Sequence, residues 1–227
     1  MIRFLKLLLA LVLLPAACFA TVETAQLYVG VLGNYKSAAN FMLGASVYAA
    51  IHYTVYDFPQ VYVFMHEMTH ALVALLCGSR VKDISVGTDS GYVKMDKTNT
   101  LIVLAPYVIP GYTILVVFGY MVAGLFTDMT PYRQLFLFGV GFCTSFHLIQ
   151  TVDTLLEADQ PDLKLAGGKI FSVVVIVLAN LVVLALILKG LFPEKVALKQ
   201  GALRVVENTV RVWKFLINYI VVQVRAL

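Results

Sequence analysis

The chain has 227 residues, of which 60% are hydrophobic and only 13% charged, and its mean hydropathy is +0.87. That balance excludes an ordinary soluble globular domain and a disordered chain, and it predicts an integral, multi-pass membrane protein of a cell or inner membrane. The 17 Lys and Arg against 13 Asp and Glu leave a net charge of +4. They are spread without the dense basic patch that DNA or RNA binding needs, so no nucleic-acid partner is expected.

A bilayer core about 30 Å thick is crossed by roughly 20 apolar residues in a helix. Six stretches fit: 4–20, 38–56, 60–78, 100–126, 134–156 and 168–192. The first is either a secretory signal or a retained helix, since Arg3 and Lys6 precede a Leu-rich run that ends in small residues at Cys18 and Ala20. Between the third and fourth, residues 80–97 change character. Short β-favouring pieces at 81–86 and 92–95 flank the turn-forming Gly87-Thr88-Asp89-Ser90-Gly91, a pattern that predicts a β-hairpin. Pro106 and Pro110 should break the fourth stretch near its start, where Tyr107, Gly111 and Tyr112 are expected beside an aqueous path. At the end of the chain Val206, Val210, Trp213, Ile217, Ile220 and Val224 recur every three or four residues opposite Arg211, Lys214, Asn218 and Arg225. That spacing suits a helix lying in the headgroup layer.

The expected architecture is therefore an all-α polytopic membrane protein. It has about six transmembrane helices, a short hairpin after the third, and a C-terminal amphipathic helix. The divisions are 1–20 as signal or first helix, 21–193 as the membrane domain, and 194–227 as the basic amphipathic helix. No internal repeat is visible. The three cysteines, Cys18, Cys77 and Cys143, lack CxxC spacing and read as small core residues.

Chemistry concentrates in the third stretch, where His66-Glu67-Met68-Thr69-His70 sets two imidazoles four residues apart. On a helix these share one face a turn apart, so both rings reach a single ion, as tetrahedral zinc requires, while Glu67 can meet a water at the metal. The plainer reading makes them buried, hydrogen-bonded histidines with Glu67 in a salt bridge. A charge at the middle of a membrane helix costs roughly 2.5–3.5 kcal/mol, and the stretch contains no Lys or Arg to offset Glu67. A divalent cation would offset it, which favours the metal.

A catalytic zinc site needs a third protein ligand. Asp162 follows Pro161 at a helix start, where the helix dipole favours a carboxylate, and is the first choice. Asp153 is the second, with His147 and Asp159 behind it; His52 reads as packing. The ordinary alternatives are a surface helix cap for Asp162, a snorkelling carboxylate for Asp153 and a satisfied core histidine for His147.

At these residues the chain resembles the site-2 protease family of intramembrane zinc metalloproteases, especially its short, compact members. The likeness runs from the HExxH helix to Gly168 and includes Leu76-Cys77-Gly78-Ser79-Arg80-Val81, similar to the exit into the family's hairpin, and Leu104-Ala105-Pro106-Tyr107, similar to the step that opens its next helix. Many members take their third ligand from a Leu-Asp-Gly-Gly sequence. Here the nearest match is Pro161-Asp162 with Gly167-Gly168 four residues further on, which implies Asp162 as the ligand.

The resemblance implies a zinc metallopeptidase whose substrates are transmembrane proteins held in the lipid bilayer, with Glu67 as general base and Zn2+ on His66, His70 and Asp162. Two other readings stay open, a metal-binding scaffold or chaperone without proteolysis, and an ion transporter using the intramembrane His, Asp and Glu. Basic residues at both ends favour placing them inside, whereas Arg80, Lys82, Lys94 and Lys97, with the resemblance, favour a cytoplasmic hairpin.

Overall fold

The computed structural model describes residues 2–33, 35–88, 90–157 and 160–225. In chain order the elements are α1 (Ile2–Leu32), α2 (Tyr35–Thr54), α3 (Pro59–Leu76), β1 (Val81–Val86), β2 (Gly91–Met95), α4 (Thr100–Leu104), α5 (Gly111–Ala123), α6 (Arg133–Leu156), α7 (Pro161–Ala166), α8 (Lys169–Leu191) and α9 (Leu198–Arg225). They group into two compact units, residues 34–172 and residues 1–33 with 173–227.

Three helical stretches, Arg3–Val31, Thr130–Leu156 and Lys169–Leu191, are long and apolar enough to cross a membrane. A fourth is the pair Thr100–Tyr107 and Gly111–Ala123, bent by 74° at the expected proline break. Of the six spans expected, α2 and α3 do not meet that test. Both are helical at the expected places, but α3 carries the polar triplet of the motif and α2 carries Asn40, Ser46 and His52, which dilute their hydropathy.

Within residues 34–172, α2 and α6 approach closely because each presents a glycine to the other's backbone. A Cβ built on Gly44 would collide with the Phe138 carbonyl, and one on Gly141 with the Phe41 carbonyl. Aromatic edges complete the seam, with Tyr48 5.2 Å from Phe142 and 5.1 Å from Phe146 between ring centroids.

α3 begins sharply. Phe58 takes a left-handed backbone (φ 57°) and Pro59 supplies the fixed φ of the first helical turn. It ends at Cys77 and Gly78, the latter at φ 73°, where a glycine is favoured. The chain then enters the antiparallel β1–β2 hairpin, with Val86 opposite Gly91, Ile84 opposite Val93 and an irregularity between Val81 and Asp83. The expected hairpin is present, β2 starting one residue earlier.

The hairpin base is locked by Asp96, whose Oδ1 accepts from the Ser79 hydroxyl and the Arg80 backbone N–H, each at 2.8 Å. Those two donors hold the Asp96 carboxyl below the usual carboxylate range, the Arg80 amide contributing most. α4 is capped by the Asn99 side chain, which accepts from the Ile102 N–H at 2.9 Å. Val73 and Ala74 of α3 pack on Ile102 and Ala105, with Val81, Met95 and Ile109 around them. This small core fixes the hairpin and the broken helix against the HExxH helix.

In the other unit, Glu23 of α1 is buried and accepts a forked pair of bonds from Arg204 of α9 at 2.6–2.9 Å. Trp213 donates to the Val12 carbonyl at 3.2 Å. α9 is amphipathic as expected, with Val206, Val210, Ile217, Ile220 and Val224 exposed along it. The cysteines correct one expectation. All three are free, but Cys18 and Cys77 are exposed and only Cys143 is partly buried. Apolar flanks report a bilayer-facing helix surface as readily as a packed interior.

Candidate metal centre

The α3 helix sets His66 and His70 on one face, with ring centroids 4.8 Å apart. Both Nε2 atoms converge on one oxygen of Asp162, at 3.4 Å from His66 and 3.2 Å from His70. The three side chains offer ligand atoms that all lie within 4.8 Å of one another, a spacing able to hold one metal ion. Asp162 reaches them because Pro161 starts the short helix α7 and Gly167 and Gly168, at φ 137° and 113°, turn the chain into α8.

The surroundings fix the rings. His70 Nδ1 lies 2.9 Å from the Ile102 carbonyl oxygen, which can only accept, so Nδ1 carries the hydrogen and a neutral ring leaves its Nε2 lone pair facing Asp162. Tyr107, next to Pro106 and 1% exposed, donates its hydroxyl to Asp162 Oδ2 at 3.1 Å and sets its ring edge-on to His66 at 5.0 Å. Tyr107 is expected beside an aqueous path, and no periodicity in the chain marks its contact with Asp162. Its one signal is the Ala105-Pro106 step, which turns the following residue inward.

Beside the cluster opens a cleft of about 820 Å³ lined by α3, β2, α6 and α7. Glu67 faces it while remaining 6% exposed. Its lining includes Ser90 and β2, and the polar residues Gln150, Asp153 and Thr154 of α6. Thr154 donates to the Tyr62 hydroxyl at 3.0 Å, and Gln150 donates to the Tyr48 hydroxyl at 3.2 Å and to the Asp57 carbonyl.

The remaining candidates fall elsewhere. Asp153 lines the cleft, but its Oδ2 is 2.8 Å from His52 Nε2, so it is engaged away from the histidine pair. His52 is thereby more than packing. His147 is buried on α6 and lines a separate small void with His66, Cys143 and Tyr112. Asp159 lies outside the described residues.

Two imidazoles and a carboxylate meeting at one point form a group that could hold a metal ion, with the Glu67 carboxylate next to His66 on α3, and among apolar helices this is the donor set of the membrane metallopeptidase class. The comparison with known families agrees. The family model described as Peptidase M50B-like matches residues 39–203, a span that contains His66, Glu67, His70 and Asp162, and the chain belongs to that family, within the site-2 proteases. No curated protein and no solved structure matches the chain significantly.

Proposed function

We propose that this multi-pass membrane protein is an active intramembrane zinc peptidase that hydrolyses peptide bonds in the membrane-embedded segments of other proteins. The observation that carries the reading is the convergence of His66 Nε2 and His70 Nε2 on Asp162 Oδ2, 96 and 92 residues away in sequence.

The donor set fits zinc. Two neutral imidazoles and one carboxylate are its ordinary catalytic ligands, and the Nδ1 of His70 is held by the Ile102 carbonyl in the way that orients a ligating ring. Bound there, zinc supplies Lewis acidity that activates water and polarises a carbonyl. His66, His70 and Asp162 would hold the ion, and the Tyr107 hydroxyl donates to the Asp162 oxygen that would face it. Glu67 takes the proton from the attacking water and delivers it to the leaving amine, the task of a carboxylate adjoining the cleft yet shielded from bulk solvent.

A transmembrane helix closes its own backbone hydrogen bonds and must be extended before it can be cut. The cleft supports that step, because β2 pairs only with β1 among the described residues and its remaining edge offers strand addition to an extended segment.

The test is Glu67→Gln beside wild type, purified with zinc and assayed on a membrane-embedded peptide. The peptidase reading expects turnover to fall by about 10²–10⁴ with zinc retained. A metal-binding scaffold would show no turnover in either form. A transporter would carry zinc or protons into liposomes and continue to do so with Glu67→Gln.

A further inference from the structure

We propose that Gly91 is a positioning residue for Glu67, so that the placement of the hairpin sets the placement of the general base. The inference rests on the role proposed above for Glu67.

Gly91 opens β2 and sits directly on the Glu67 side chain. A Cβ built on it would lie 2.6 Å from Glu67 Cγ, 3.0 Å from Glu67 Oε1 and 2.7 Å from the Ser85 carbonyl oxygen. Packed atoms do not tolerate such distances. The approach to the Ser85 oxygen burdens the backbone of the hairpin, and the approach to Glu67, a rotatable side chain, displaces the carboxylate; only the second bears on the base. Gly91 has no positive φ to explain the residue, which leaves the close approach as the reason for a missing side chain.

The contact has a consequence for catalysis. A general base works only within about 2.6–3.2 Å of the proton it takes, and misplacement by about 1 Å costs on the order of 10²-fold in rate. Glu67 is buried on a fixed helix, and the floor against which its side chain rests is the first residue of the strand that walls the cleft. A segment pairing along β2 therefore bears, through Gly91, on the carboxylate that is to act on it.

Gly87 supplies the control. It lies in the same turn, and a Cβ there would approach the Ser90 carbonyl oxygen at 2.8 Å without meeting Glu67. Gly91→Ala and Gly87→Ala thus burden the hairpin alike, but only the first burdens the base.

The experiment compares both variants with wild type as full chains in nanodiscs, measuring kcat, KM and zinc content on one membrane-embedded peptide. Gly91→Ala should lower kcat by about 10–100-fold with KM and zinc content within threefold, and Gly87→Ala should stay within threefold of wild-type kcat. Unchanged kcat in Gly91→Ala, or an equal loss in both variants, overturns the proposal.

A second readout needs neither metal nor activity. In zinc-free protein with Cys18, Cys77 and Cys143 replaced by serine, Glu67→Cys with Gly91→Cys should form a disulfide under oxidised glutathione, and Glu67→Cys with Gly87→Cys should not. Absence of the first bond overturns the contact and the proposal with it. A wild type without turnover, beside an intact cross-link, instead defeats the peptidase reading.

Discussion

His52 Nε2 lies 2.8 Å from Asp153 Oδ2, joining α2 to α6 across the seam that their glycines allow. The Tyr48 hydroxyl is 3.2 Å from the other nitrogen of the same ring and also accepts from Gln150, so the pair belongs to a polar ladder beside the cleft. In an apolar bundle such groups must satisfy one another, because neither lipid nor packed side chains will do so. Replacing His52 by Ala should therefore lower stability by about 1–2 kcal/mol while zinc content stays at the wild-type value. Thermal unfolding in detergent and elemental analysis of the same sample check both halves.

Three of the carboxylates that line the cleft, Glu67, Asp153 and Asp162, should separate cleanly by metal content. Asp162→Ala removes the oxygen shared by both histidines and is expected to weaken zinc binding by more than 100-fold, a larger loss than the 10–100-fold typical of outer-shell changes. Asp153→Ala and Glu67→Gln should keep the ion. Competition with a chelator of known affinity ranks the three, and zinc loss in Asp153→Ala alone would move the third ligand to that residue.

Tyr107→Phe isolates the hydroxyl that donates to Asp162 at 3.1 Å. With the ring kept, packing on His66 is preserved, and with Asp162 as the proposed ligand, the loss of one hydrogen bond to it should weaken zinc affinity by about 10–100-fold. The same chelator competition measures it. An affinity equal to wild type would show that the hydroxyl does not steady the ligand.

Acid should loosen the hairpin base before the rest of the fold. Asp96 is held below the usual carboxylate range by the Arg80 amide and then the Ser79 hydroxyl, so the charged form is the one the fold prefers. The stability it contributes is present above the unfolded value of about 3.9 and is lost as pH falls through the lower, folded value. Amide exchange at Arg80 should accelerate over that window, and Asp96→Asn should show the faster exchange already at neutral pH.

The α2–α6 seam tolerates no side chain at either glycine. Gly44→Ala and Gly141→Ala would each drive a methyl into a backbone carbonyl of the facing helix, and each should cost about 1–3 kcal/mol. Unfolding midpoints in a common detergent read the effect. Gly119→Ala, where a Cβ would meet nothing within 4 Å, is the neutral reference.

Local pattern carried a good part of this protein. Hydropathy alone determined that it is built for a bilayer, because runs of apolar residues report the solvent each segment meets. The four-residue spacing of His66 and His70 determined that they share a face, since helical geometry needs no tertiary help to place them. The turn cluster after Val86 and the prolines at 106 and 110 likewise marked the hairpin and the broken helix through backbone restrictions that belong to single residues.

Only the tertiary structure decided which carboxylate meets the histidines, because the sequence ranks Asp162 before Asp153 without placing either, and the fold sets Asp153 on His52 and Asp162 on the histidine pair. It also decided that Tyr107 points at Asp162, that His52 takes Asp153, and that Gly91 rests on Glu67. Each of these joins residues from separate elements, and such distances are set by how helices and loops pack against one another, a property that no periodicity along the chain records.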